Sequence, residues 1–255
     1  MKISIVTVTF NSEKTLADTI ESVLLQDYND YEYIVIDGGS KDSTVDIIKR
    51  YEPEFDGKIR WISEPDKGMY DGINKGIRMA TGDVVGIINS DDFYHRPDIF
   101  RIINDSFTQD PDIQAIYGDV RFVNPDNIDK TVRYYSSAHF KPSKFRWGWM
   151  PAHPTFFTYR SNFDKYGFYK TDYHIAADYE LLIRFLYTHH LPAKYIPVDF
   201  MMMRTGGRST NGIKSNIILN REIVRGCREN GIYTNMAMLF QKYFVKVFEL
   251  IRTRN

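Results

Sequence analysis

The chain predicts an α/β fold with a mostly parallel central sheet flanked by helices, and three observations carry that expectation. Short β-branched apolar runs alternate with amphipathic helical stretches through the first hundred residues. The connections between them are brief and rich in Gly, Asp and Ser, as repeated strand–helix units with right-handed crossovers require. At 255 residues and 43% hydrophobic, the chain also has enough apolar material to bury a sizeable core.

Ile3 to Val8 reads as a buried strand, followed by Leu16, Ile20, Val23 and Leu24 at helical spacing behind Asn11 or Ser12 as a cap. Tyr33 to Ile36 is the second strand; Gly38 and Gly39 turn it, Ser40 can cap, and Val45, Ile48 and Tyr51 give the next helix its apolar stripe. Ile59 to Ile62 is the third strand. Met69, Ile73, Ile77 and Ala80 form another amphipathic face that ends at Thr81-Gly82-Asp83. Val84 to Ile88 is then a strand that stops on Asn89-Ser90-Asp91-Asp92. Beyond Pro97, well placed at a helix start, the pattern is mixed: short strands at Ala115 to Tyr117 and Val120 to Val123, then an aromatic, irregular stretch from Tyr134 to Pro154. Ile175, Tyr179, Leu182 and Leu186 mark a further helix. Asn216 to Arg254 reads as helices, with Phe240, Tyr243, Phe244, Val247, Phe248 and Ile251 on one face.

Composition narrows the function classes. Lys plus Arg equals Asp plus Glu at 33 each, so the balance of the whole chain predicts no nucleic-acid partner. From Lys214 onward there are eight basic residues against three acidic ones, a net of +5, which leaves 25 minus 30, or −5, on the first 213. A positive tail on an acidic body points to a membrane surface or a partner, although a solvated charged face has the same pattern. The single Cys227 excludes an internal disulfide, scattered histidines give no zinc-site spacing, and a reducing cytoplasm is expected. No apolar run reaches the roughly 18 residues that a membrane span needs.

The segment that carries most chemistry is the strand end at Asp91 and Asp92. Ligands of open α/β sheets collect at the carboxyl ends of strands, and a hard divalent cation on a diphosphate takes carboxylate oxygen. Capping of the next helix is the plain alternative for the two acids. Thr9-Phe10-Asn11 ends the first strand without the glycines of a dinucleotide loop, so small polar groups and a flat ring meet whatever lies above the sheet. Asp37 stands at the next strand end before two glycines that let a ligand approach the backbone. Asp66 and Lys67 precede a helix whose start favours anions, and Asn74 lies on its inward side.

In this order, Thr9-Phe10-Asn11, Asp37-Gly38-Gly39-Ser40, Asn74-Lys75-Gly76, Thr81-Gly82-Asp83 and Asn89-Ser90-Asp91-Asp92 resemble the family 2 glycosyltransferases. The match is strong over roughly residues 1 to 100 and continues more weakly through His153-Pro154-Thr155-Phe156-Phe157 and Ala176-Ala177-Asp178-Tyr179-Glu180. The resemblance implies a single GT-A domain over residues 1–212, with a nucleotide-binding half at 1–100 and an acceptor-binding half at 101–212, then a helical extension at 213–255. It also implies a nucleotide-diphospho-sugar donor, a UDP-sugar in first place, a divalent metal (Mn or Mg) and inversion at the anomeric carbon.

By the same resemblance Thr9, Phe10, Asn11 and Asp37 hold the base and ribose, and Asp66 and Asn74 close the nucleotide pocket. Read from the residues alone, Lys67 or Lys75 would meet phosphate, a solvated face being the plain alternative for Lys75, and Ser90 and Asp91 are further candidates at the donor. Asp91 matches the last acid of the family's Asp-x-Asp motif, with Asp92 as a helper; Asn89 stands where the first acid is usual. Asp178 matches the general base of a Glu-Asp pair whose first member is Ala177 here. His153 and Arg208, the latter in the Gly206-Gly207-Arg208 loop, are candidates at the acceptor or the diphosphate. Arg146-Trp147 lacks the glutamine of the processive synthases' Gln-x-x-Arg-Trp motif, so one sugar per binding event is expected.

The acceptor class that fits is a saccharide or lipid-linked saccharide of the bacterial cell surface. The basic, aromatic tail would touch the inner membrane face or form a homodimer. Two other readings stay open on sequence: a sugar-phosphate nucleotidyltransferase, against which stands the missing basic glycine loop, and a non-catalytic nucleotide-sugar-binding protein, for which Asn89 and Ala177 argue.

Overall fold

The structure, a computed structural model, describes residues 1–206 and 212–240, the side chains of residues 212 and 213 excepted. In chain order the strands are β1 Ile3–Thr9, β2 Tyr31–Asp37, β3 Ile59–Ser63, β4 Val84–Ile87, β5 Asp92–Phe93, β6 Ala115–Asn124, β7 Asn127–Tyr135, β8 Phe157–Tyr159 and β9 Ala193–Arg204. The helices are α1 Leu16–Leu24, α2 Thr44–Tyr51, α3 Met69–Met79, α4 Ile99–Gln109, α5 Ser161–Tyr166, α6 Ala177–Ile183 and α7 Gly212–Glu229.

The strands form one sheet in the order β3-β2-β1-β4-β8-β6-β9-β5, with β7 on the far half of β6. β1, β2, β3 and β4 are parallel neighbours. β8 runs against both β4 and β6, which turns β6 and its parallel partner β9 back into the direction of the first four. The reversed strands β5, β7 and β8 are the later, shorter or edge pieces, so the sheet is mostly parallel as expected.

Alternation along the strands sends side chains to two cores. Ile3, Ile5, Tyr33 and Val35 pack with Leu16, Ile20 and Val23 of α1, Ile47 and Ile48 of α2, and Phe100 and Ile103 of α4. Val6, Ile34 and Ile36 face the other way, onto Ile73 and Ile77 of α3 and the α6–α7 layer. A period of two is what a strand buried on both faces needs. α3 lies unusually close to β1 because Gly72 and Gly76 face it. A Cβ built on Gly76 would meet Val6 Cγ1 at 2.3 Å, and one on Gly72 would meet Val8 Cγ1 at 2.7 Å.

Several boundaries differ from the expectation for visible reasons. The two short strands at 115–117 and 120–123 are one strand, β6, interrupted by register shifts around Gly118 rather than by a turn. β9 was not expected because Pro197 breaks its pattern, and β7 because its residues are almost all exposed and mix polar with apolar side chains. The cap of α1 is Thr15, not Asn11 or Ser12, since Asn11 takes a left-handed backbone (φ 51°) and joins the neighbouring loop instead. Ile223 and Cys227 of α7, with Ile232 and Leu239 after it, share the core of α6, so the described part of the expected extension packs into the domain. Arg208, and the apolar face from Tyr243 to Ile251, lie outside the described residues. No helix among the described residues is long and apolar enough to cross a membrane.

Candidate active site

Parallel register gathers the first group of candidates. Thr9 pairs with Asp37 across β1 and β2, and Asp37 with Ser63 across β2 and β3, so residues far apart in sequence form one row at the carboxyl edge. Asn11 joins the row, its N–H donating to Ser40 Oγ at 2.8 Å and its Oδ1 accepting the Lys41 N–H at 2.9 Å. The Thr9 hydroxyl is buried and has no partner among the described residues. An unpaired buried hydroxyl at a strand end is open to a ligand or a water.

Asp37 is placed differently from its expected role. Its Oδ2 accepts the Gly39 and Ser40 N–H groups at 3.1 and 3.0 Å and the Ser63 hydroxyl at 2.6 Å, while Oδ1 accepts the Ser40 hydroxyl at 2.5 Å. With 0% exposure, this carboxylate is engaged by its own loop and by Ser63. Asp66, after β3, is less buried. Its Oδ1 accepts the Gly68 N–H at 2.8 Å, and its Oδ2 lies over two residues without side chains. A Cβ on Gly38 would sit 2.9 Å from Oδ2 and 3.4 Å from the Phe10 ring, and one on Gly72 3.2 Å from Oδ2. Asp66 Oδ2 and Phe10, exposed at 48%, thus close together over Gly38. Lys67 is exposed, its N–H bonded to Asp71 at 3.1 Å.

The acidic loop after β4 is the second group. Ser90 Oγ shares a hydrogen bond with Ser12 Oγ at 2.9 Å, and the Thr15 hydroxyl donates to the Ser90 carbonyl at 2.8 Å, which ties this loop to the one after β1. Asp92 is 1% exposed and its Oδ2 accepts the Asn89 amide at 2.8 Å. That contact corrects one expectation. Asp92 is turned inward under the loop and is not placed to help hold a cation, while Asn89, the amide where the first acid is usual, serves as its donor. Burial first, and then the charge of Asp91, push the Asp92 carboxyl well above its ordinary range. Asp91 is only part-buried; burial raises it too, and Arg204 pulls the other way.

Arg204, at the end of β9, was not singled out in the sequence. It donates to the Asp91 carbonyl at 2.7 Å, pairs with Asp18 of α1, and lies 5.0 Å from the Phe93 ring centroid. No group of three or more His, Cys, Asp or Glu side chains forms a metal cage among the described residues. One carboxylate, Asp91, does suit a hard cation whose remaining ligands are diphosphate oxygens and water, the usual pattern for Mg²⁺ at nucleotides.

The third group surrounds Asp178, in the first turn of α6. Its Oδ1 accepts the Tyr179 N–H at 2.8 Å. His153 Nε2 bonds the Tyr169 hydroxyl at 2.7 Å, and Tyr169 stacks on Tyr70 with ring centroids 5.9 Å apart. The Tyr70 hydroxyl donates to the Ile175 carbonyl at 2.6 Å. Burial raises the Asp178 carboxyl, opposed by His153 and the Tyr179 N–H; burial lowers His153, opposed by Asp178.

Asn74 belongs to this group and not to the nucleotide pocket. Its Nδ2 donates to the Tyr169 carbonyl at 2.8 Å and its Oδ1 accepts the Tyr169 N–H at 3.0 Å, so both ends of the amide are spent on one backbone. α3 therefore links the groups: Gly72 lies under Asp66 Oδ2 while Tyr70 and Asn74 hold the segment that leads to Asp178. Tyr70, Tyr169 and Arg204 lay outside sequence reasoning because aromatic and basic residues at these spacings read as ordinary core or surface.

The family model for glycosyl transferase family 2 matches residues 4–170. The chain belongs to this family. An uncharacterized glycosyltransferase of Mycobacterium tuberculosis is 33% identical over 184 residues, 71% of this chain and 68% of that protein. A PGL/p-HBAD biosynthesis glycosyltransferase of Mycobacterium bovis is 25% identical over 218 residues, 86% and 82% of the two chains. Among solved structures, TarS of S. aureus, residues 1–349 in complex with UDP-GlcNAc, matches with a TM-score of 0.70 at 16% identity, over 91% of this chain and 68% of that one. This chain spans 41% of the longer TarS structure. The mannosyltransferase PcManGT from Pyrobaculum calidifontis, in complex with GDP-Man and Mn²⁺, matches with a TM-score of 0.66 at 18% identity, over 89% and 63%. At such identities the likeness is one of fold, and it agrees with a single GT-A-like domain. The chain is a family 2 glycosyltransferase, an enzyme class, and the matched residues include Asp37, Asp66 and Asp91.

Proposed function

We propose that this enzyme moves one sugar from a nucleotide-diphospho-sugar, a UDP-sugar in first place, to an acceptor hydroxyl, with inversion at the anomeric carbon. The observation that carries the reading is the course of α3. One helix carries Gly72, over which Asp66 Oδ2 lies beside Gly38 and Phe10, and also secures the backbone that leads to Asp178. A nucleotide held at the first end has its sugar directed toward the second. The donors named for two structural neighbours, UDP-GlcNAc and GDP-Man, are of the same chemical class.

In this reading the Phe10 ring stacks on the base, the Thr9 hydroxyl and Asp66 Oδ2 take its polar edge or the ribose, and Ser90 and Asp91 adjoin the diphosphate. Asp91 would hold a divalent cation there, which offsets charge on the departing phosphate. Asp178 accepts the proton of the acceptor hydroxyl as that oxygen forms its bond to the anomeric carbon. The bond from that carbon to the phosphate oxygen breaks on the opposite face, and its electron pair leaves with the nucleoside diphosphate. Burial makes Asp178 a stronger base than a solvated aspartate, which suits the task. The acceptor is a saccharide or lipid-linked saccharide used in building the cell surface, met on the cytoplasmic side of the membrane.

A thermal-shift screen of nucleotide sugars with Mn²⁺ or Mg²⁺ identifies the donor, since a ligand that binds the native state raises its apparent stability. Transfer or donor hydrolysis is then followed in wild type and in Asp178→Asn. Turnover that survives in the variant removes Asp178 from the role of base.

A further inference from the structure

Glu222 of α7 is 8% exposed, and its carboxylate is wholly engaged with a loop 46 to 48 residues earlier. Oε1 accepts the His174 N–H at 2.7 Å, and Oε2 accepts those of Ile175 and Ala176 at 2.9 and 2.8 Å. Ala176 is the N-cap residue of α6 and supplies no side-chain cap of its own. An N-terminal cap usually comes from the helix itself or the residue before it; here it is delivered by another helix. The same short segment is gripped from its other side, where Tyr70 donates to the Ile175 carbonyl at 2.6 Å. Two residues further along the chain stands Asp178.

We propose that Glu222 is the positioning residue of the catalytic base. It fixes the backbone at 174–176 so that the Asp178 carboxylate keeps one place and direction at the reacting centre. This inference rests on the reading of Asp178 as that base. The groups around Asp178 come from four elements: Tyr70 of α3, His153 of the short helical turn at His153–Thr155, Tyr169 from the segment before α6, and Glu222 of α7. Among the causes that raise Asp178, the charge of Glu222 adds to burial while His153 opposes it. Glu222 lies beyond the family match, which ends at residue 170.

Glu222→Gln keeps the shape, removes the charge and turns an NH₂ group toward backbone donors. Glu222→Asp keeps the charge with a shorter reach. Both are made in the full chain and checked for folding by near-ultraviolet circular dichroism. In Glu222→Gln, amide exchange at residues 174–176 is expected to quicken by about tenfold or more, the scale of one lost charged hydrogen bond. The Asp178 carboxyl, followed by carbon-13 NMR, titrates at lower pH than in wild type. Nucleotide-sugar affinity stays within about twofold while kcat falls by about tenfold or more, and Glu222→Asp recovers part of both changes.

Wild-type exchange and an unmoved Asp178 titration in folded Glu222→Gln overturn the proposal without any activity assay. Loss of nucleotide affinity in parallel with kcat also overturns it, since that marks general loosening. Full turnover in Asp178→Asn sinks the base reading instead, and an inactive Asp178→Asn beside a fully active Glu222→Gln sinks the inference alone.

Discussion

Glu32→Gln tests whether the Thr81-Gly82-Asp83 block serves the fold or the chemistry. Glu32 is 4% exposed at the amino end of β2. Its carboxylate accepts the Ser4 hydroxyl and the Thr81 N–H at 2.6 Å each, the Gly82 N–H at 3.1 Å, Arg60 at 2.7 Å and Lys2 at 3.3 Å. Burial alone pushes this carboxyl up; the hydrogen bonds and the two cations outweigh it and hold it down from its ordinary 4.5 to about 2. A depressed carboxyl stabilises the folded state above its unfolded pKa, and the gain disappears as pH falls through the folded one. At about 1.4 kcal/mol per pH unit, the gap gives a ceiling of about 3 kcal/mol. Arg60 and Lys2 are 42% and 38% exposed and therefore screened, which brings the expectation to about 2 kcal/mol. In a chain of this size that lowers Tm by roughly 4–8 °C. Urea unfolding of both proteins between pH 7 and pH 2.5 measures it. The difference should be constant above about pH 5 and shrink steadily toward pH 2, with nucleotide affinity unaltered throughout. A difference that does not change with pH, or a variant as stable as wild type at pH 7, refutes the reasoning.

Four further outcomes are expected. Asp178→Asn should lower kcat by at least about a hundredfold, the scale of a general base, with donor affinity nearly intact by calorimetry. Asp91→Ala should abolish the dependence of UDP affinity on Mn²⁺ or Mg²⁺, whereas Asp92→Asn should leave it in place; loss in both variants would return Asp92 to the cation. Asp66→Ala should weaken nucleotide binding about tenfold, measured by thermal shift across a concentration series, and unaltered affinity would place the base elsewhere. Asn74→Ala leaves the Tyr169 N–H and carbonyl without their partner and should cost about 2–4 kcal/mol in denaturant unfolding, without direct loss of nucleotide affinity at saturating stability.

The first half of the fold was legible because its strands are buried on both faces and its helices show one apolar stripe each, patterns that need no distant partner to be recognised. β9 was hidden by Pro197 and β7 by its exposed surface, since both depend on pairing with β6 for their existence. In the site, Thr9, Phe10, Asp66 and Asp91 could be found from their place after parallel strands. Whether an acid faces outward or folds back into its own loop is decided by contacts that spacing does not reveal: Ser63, 26 residues away, for Asp37, and the turn geometry that brings Asn89 back onto Asp92. Glu222 left no trace as a functional residue, because an acid on a helix that also carries Lys, Arg and Glu229 reads as a solvated charge.

Cys227 has 0% exposure in the seam between α6 and α7, and burial pushes its thiol up to about 12. As the sole cysteine of the chain, it is a reporter already installed where the helix of Glu222 leans on that of Asp178. Alkylating reagents have nothing to attack until the two helices part, so the rate of thiol capture counts those partings one molecule at a time. Donor and acceptor mimics that slow the capture would do so by closing the seam, and the protein can be asked that question without a label, a second thiol or a known product.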